Sequence, residues 1–167
     1  MRFASAMFPA ARFGLGLAAL LLCHTALADG LRPFKPTSLA EITAARSGKP
    51  FVLLLWSLDC PSCIKEMAGL AAILAKQPDL NWVLVSTDEE SYAQEAEAML
   101  RKHGLQGVES WIFADANAQR LRYAIDPAWF GELPRSYFYD ASHQRLPHSG
   151  VLRSEQIEAW RAALKQP

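Results

Sequence analysis

Residues Phe51-Val52-Leu53-Leu54-Leu55 form a short, unbroken apolar run, and the chain passes from it through Trp56-Ser57-Leu58-Asp59 straight into Cys60-Pro61-Ser62-Cys63. A run of this length without polar interruption suits a strand covered on both faces. Beyond it, apolar side chains recur at Ile64, Met67, Leu70, Ala71 and Leu74, close to the helical repeat, so residues 64–76 are predicted to be helical. A strand buried on both faces and feeding a helix belongs to a sheet with helices on each side. The two cysteines fall in the first turn of that helix.

The position carries chemistry. The first turn of a helix has amide groups without intrahelical partners and a partial positive charge, both of which favour a thiolate. Pro61 at the first helical position loses nothing by lacking an N–H. Such surroundings lower a cysteine pKa from about 8.5 into the range of roughly 3.5 to 7.5, which makes Cys60 the expected nucleophile and Cys63, one turn further in, the resolving thiol. Structural zinc needs a fuller ligand set than one CxxC, and the chain's third cysteine, Cys23, lies far upstream.

At 167 residues and 51% hydrophobic content, one domain with a proper core is expected. Arg2 and Arg12 precede an apolar stretch over residues 13–22 and a small-x-small site at Ala26-Leu27-Ala28, so residues 1–28 read as a secretory signal peptide. The stretch is short for a membrane anchor, and Leu22 before Cys23 does not suit a lipoprotein signal. Cleavage after Ala28 removes Cys23 and leaves the dithiol as a working couple in an oxidising compartment, the periplasm. It also removes two arginines from a balance of 17 basic and 17 acidic residues, for a mature net charge of −2. Nucleic acid is therefore not an expected partner.

Residues 29–36 read as a flexible segment before a domain over 37–167. Ser38-Leu39-Ala40-Glu41 reads as a capping box opening a short helix that Gly48 ends. Residues 82–87 are predicted as a strand, 91–103 as a helix stopped by Gly104, 111–113 as a short strand and 116–123 as a short helix. Residues 136–139 read as a strand and 145–152 as an edge strand interrupted by Pro147. Ser154 is the expected cap of a last helix over 155–164.

Taken together, Trp56 four residues before the first cysteine, the CxxC, its helix, and Leu133-Pro134 ahead of a late strand resemble the thioredoxin superfamily. The run Cys60-Pro61-Ser62-Cys63-Ile64-Lys65-Glu66-Met67 is similar to the pattern of the TlpA/ResA/CcmG-like group of periplasmic thiol-disulfide oxidoreductases, over about residues 35 to 165. The resemblance implies an α/β thioredoxin fold, a mixed central sheet with helices on both faces, and a TlpA-like β-α insertion, here residues 111–123. It implies a cis Pro134 facing the dithiol, with the Leu133 backbone, Pro61 and Trp56 contacting substrate; Trp56 would pack beside the dithiol, and an ordinary core Trp is its other reading. It implies no cofactor beyond the Cys60–Cys63 dithiol, and protein thiols or disulfides as partners of a monomer, with a membrane electron donor or acceptor among them.

The match is incomplete. Leu54 stands where thioredoxins carry a buried Asp, Asp59 departs from the usual residue before the first cysteine, and Ala68-Gly69 replaces the group's Pro. Glu66 has two readings, a proton partner of the dithiol or a solvated helical acid. Trp129-Phe130-Gly131 is read either as a partner-facing patch or as core, and His103, His143 and His148 as surface residues. Two other functions stay open, a copper-binding chaperone using the cysteines with a histidine, and a thiol peroxidase. The Pro-x-x-x-Thr-x-x-Cys arrangement that a peroxidase implies is missing before Cys60.

Overall fold

The computed structural model describes residues 30–165; the signal-peptide reading of residues 1–28, with Cys23, lies outside the described residues. Six strands, β1 (Arg32–Phe34), β2 (Phe51–Trp56), β3 (Asn81–Glu89), β4 (Glu109–Phe113), β5 (Arg135–Tyr139) and β6 (Arg145–Ser149), form one sheet in the order β1-β4-β3-β2-β5-β6. Neighbours from β1 across to β2 are parallel, while β5 is antiparallel to both β2 and β6. The helices are α1 (Ser38–Ala44), α2 (Pro61–Lys76), α3 (Ala93–Lys102), α4 (Ala118–Ile125) and α5 (Ser154–Ala163).

Every residue of β2 is buried, as its unbroken apolar run requires. Alternate side chains divide between two cores. Val52, Leu54 and Trp56 pack with Cys63, Met67 and Leu70 of α2, Ala96 and Leu100 of α3, and Ile157 and Trp160 of α5. Phe51, Leu53 and Leu55 pack on the other face with Ile42 of α1 and Leu121 and Ile125 of α4. Right-handed crossovers account for part of this division: the steps from β2 to β3 to β4 run one way and leave α2 and α3 on one face, and the step from β1 back to β2 puts α1 on the other. This is the thioredoxin fold, and the additional strand and helix are present as β4 and α4, with β4 between β1 and β3.

Several local expectations are corrected. Within the segment 29–36 expected to be flexible, Arg32–Phe34 pair with β4, Phe34 is buried against Trp111 and Phe113, and the Arg32 guanidinium lies 3.9 Å from the Trp111 ring centroid. A three-residue strand is too short for alternation to mark it. Ser38 does not cap α1: Thr37 holds that position, and the Ser38 hydroxyl accepts from the Lys35 N–H at 2.9 Å. Arg153, not Ser154, is the N-cap of α5, and its N–H donates to the Gln156 side chain. The edge strand runs through Pro147 and ends at Ser149. Trp129 belongs to the core, whereas Phe130 is 93% exposed.

Candidate active site

The dithiol stands at the end of β2, where the chain leaves the sheet. Cys60 is the N-cap of α2, with extended backbone (φ −108°, ψ 97°), and Pro61 is the first helical residue. Cys60 and Cys63 form a disulfide with an S–S distance of 2.05 Å. The Cys63 N–H donates to Cys60 Sγ at 3.1 Å, an unpaired first-turn amide aimed at the sulfur. Cys60 retains 9% of its surface and Cys63 1%. The outer sulfur is thus the one beside exposed Pro61 and Ser62, and the inner one is sealed by the core.

Glu66 lies three residues after Cys63 and shares its buried helical face with Met67 and Leu70. It is 5% exposed, its Oε1 accepts from the Leu152 N–H, and its Oε2 has no partner among the described residues. Burial pushes the carboxyl from 4.5 up to about 7, against the opposing pull of the Leu152 hydrogen bond. The solvated-acid reading is therefore overturned. Leu54, at the place of the thioredoxin Asp, is buried opposite Ser136, so the buried carboxyl of this face comes from the helix and not from the strand.

The Leu133–Pro134 bond is cis. Pro134 is buried and directly precedes Arg135, which pairs with Leu55; this sets Pro134 beside the end of β2 from which the dithiol loop departs. Its carbonyl accepts from the Gly150 N–H at 2.9 Å, two residues before the Leu152 that holds Glu66. The cis proline, the 150–152 segment and Glu66 are in this way tied together. Leu133 is half-buried and packs against the core cluster that contains both cysteines. The expectation that Trp56 contacts substrate is corrected: its ring has no accessible surface and packs in that same cluster, as its place within an all-buried strand demands.

A residue that the sequence did not single out holds the loop in front of Cys60. The Asp88 carboxylate accepts from the Ser57 hydroxyl at 2.7 Å and the Leu58 N–H at 3.0 Å, and from the Ser86 hydroxyl of its own strand at 2.5 Å. Asp88 sits where the pairing of β3 with β4 is irregular, between Ser86 and Glu89. The Thr-Asp-Glu run after an apolar strand was the available signal, but only pairing of β2 with β3 turns it toward the loop. Asp59 itself is exposed. Of the histidines, His103, His143 and His148 are all partly buried rather than fully exposed, and His143 meets the Phe51 ring edge-on. Among the described residues, no group of three or more His, Cys, Asp or Glu side chains is placed to hold a metal ion.

No protein-family model and no curated protein matches this chain. Solved structures do. A secreted Mycobacterium tuberculosis disulfide oxidoreductase homologous to E. coli DsbE is 23% identical, with a TM-score of 0.57, over 72% of this chain and 86% of that one. StoA from Bacillus subtilis is 18% identical, with a TM-score of 0.52, over 69% and 84%. A secreted thiol-disulfide isomerase from Corynebacterium glutamicum is 14% identical, with a TM-score of 0.58, over 73% and 74%. At these identities the likeness is one of fold.

Proposed function

We propose that this protein is a thiol-disulfide oxidoreductase of the periplasm that exchanges disulfides with protein partners. The observation that carries the reading is the unequal dithiol: Cys60, which caps α2 and keeps 9% of its surface, and Cys63, sealed at 1% on the same helical face as the buried Glu66 carboxyl. Residues 1–28 supply the argument for the compartment, and the names of the structural neighbours are consistent with it.

In the reducing direction, the Cys60 thiolate attacks one sulfur of a partner disulfide and expels the other partner sulfur as thiolate. Cys63, having lost its proton, then attacks Cys60 Sγ, forms the Cys60–Cys63 bond and releases the second partner thiol. The partner gains two electrons and two protons, and the dithiol loses them. In the oxidising direction a partner thiolate attacks Cys60 Sγ and Cys63 leaves. Glu66, with a carboxyl near neutrality, is the group that takes the Cys63 proton in one direction and returns it in the other. Pro134 and the Leu133 backbone, beside the end of β2, receive the partner's extended chain, and exposed Pro61 flanks Cys60.

The test is to express Cys63→Ala, in which a mixed disulfide at Cys60 has no resolving thiol, and to identify what is attached. Partner proteins held through Cys60 are expected. A Cys63→Ala protein that accumulates none, together with wild-type protein unable to exchange with a small disulfide, would sink the reading.

A further inference from the structure

We propose that the cleft alongside α2 docks a segment of the partner polypeptide that carries a carboxylate next to an apolar side chain; this rests on the redox reading above and narrows the substrates it leaves open. The cleft, of about 430 Å³, runs between α2 and the segment leading into α5. Gly69 and Ile73 line it from the helix, and Val151 and Leu152 line it from the opposite side.

Gly69 is the informative residue. It lies inside a sixteen-residue helix, where glycine is among the poorest choices. Neither of the usual reasons for it applies: its φ is helical, and a Cβ built there meets nothing within 4 Å. The effect that glycine does have here is to leave one wall of the cleft without a side chain. An apolar group of a partner fits that space.

Charge supplies the second half of the argument. Lys65 and Arg153 also line the cleft, both exposed, and neither forms an ion pair among the described residues. Two unpaired cations beside an apolar wall complement an acidic side chain adjoining an apolar one. The Glu66 carboxyl, buried and engaged by Leu152, does not compete for them as an exposed acid would. Distance then fixes the spacing. With a helical rise of about 1.5 Å per residue, Gly69 lies roughly 14 Å along α2 from Cys60, a span of about four extended residues. The apolar and acidic pair therefore falls about four residues from the partner cysteine joined to Cys60. A cleft that takes one or two side chains suits such a segment rather than the roughly 800 Å² per partner of a folded interface.

The experiment uses the reduced protein and two synthetic peptides, each closed by one disulfide and identical except that about four residues from the reacting cysteine one carries Leu-Glu and the other Ser-Lys. The readout is the ratio of the two second-order reduction rates within each variant, with a small disulfide measured in parallel. Wild type is expected to favour the Leu-Glu peptide about tenfold. Gly69→Ala lowers that ratio, Gly69→Trp brings it close to one, and Arg153→Glu lowers it about two- to fivefold. Equal rates for the two peptides in wild type, with the small disulfide still reduced, overturn the docking site and leave the redox reading standing. No reduction of the small disulfide by wild type sinks the redox reading instead. Concentration-dependent self-association that Gly69→Trp abolishes would assign the cleft to a second copy and overturn the proposal.

Discussion

At the scale of single residues, Glu66 shows how burial moves an ordinary helical carboxyl toward neutrality. A carboxyl raised from 4.5 to about 7 holds its proton more tightly in the folded state than in the unfolded chain. Below 4.5 both states are protonated and the group has no net effect. As pH rises from 4.5 toward 7 the unfolded chain releases its proton first, and the folded state loses relative stability, by on the order of 3 kcal/mol once deprotonation is complete. Glu66→Gln keeps an acceptor for the Leu152 N–H and removes the titration. The variant is expected to be more stable than wild type above pH 7, with the advantage shrinking as pH falls from 7 and gone below 4.5, and to exchange disulfides more slowly with a flattened pH profile near neutrality. Denaturant melts across pH and rates with a small disulfide check both. A stability difference that does not change with pH would return Glu66 to a passive role.

At the scale of elements, two acids make a contrast. Asp88 joins the irregular end of β3 to the loop between β2 and α2, so its loss loosens the approach to Cys60 while the sheet stays paired. Asp88→Ala is expected to cost about 1 to 3 kcal/mol, to speed hydrogen exchange at the Leu58 amide, and to slow disulfide exchange. Unchanged protection at Leu58 would count against the clamp. Asp126, after α4, accepts from the Tyr137 hydroxyl at 3.0 Å and pairs with Arg145 at 2.8 Å and Arg135 at 3.5 Å. Burial pushes its carboxyl up, but the Ala128 N–H, Tyr137 and the two arginines outweigh that and hold it below the usual range. Asp126→Ala leaves two arginines and a phenol without their shared acceptor and is expected to cost about 3 kcal/mol while the reduced protein's rate with a small disulfide is preserved. A variant of full stability, or one with a slowed reaction in the folded state, would contradict that separation of scaffold from site.

At the scale of the whole molecule, stability comes from two cores on either side of one sheet and not from the disulfide. The bridge closes a loop of sequence separation 3, for which loop-closure entropy contributes on the order of 2 kcal/mol or less. Reduction is expected to leave the protein folded, with a midpoint shift of at most that size in denaturant melts with and without reductant. Unfolding on reduction would make the pair a staple and would remove the basis for reading it as a working couple.

The sequence by itself determined what depends on neighbours along the chain. The unbroken run at 51–56 specified a strand buried on both faces, and the proline and apolar spacing after Cys60 specified a helix with that cysteine at its cap. The tertiary structure alone decided what depends on partners remote in sequence. Glu66 is buried and its carboxyl raised because the core closes over it, against the pull of the Leu152 N–H; Trp56 is enclosed because the helices cover that face. Arg32–Phe34 become a strand because β4 offers them an edge, and Asp88 becomes part of the site because β3 pairs with β2. Periodicity records which face of an element is apolar. It does not record which distant backbone N–H, carboxylate or sheet edge will meet that face, since those encounters are set by packing.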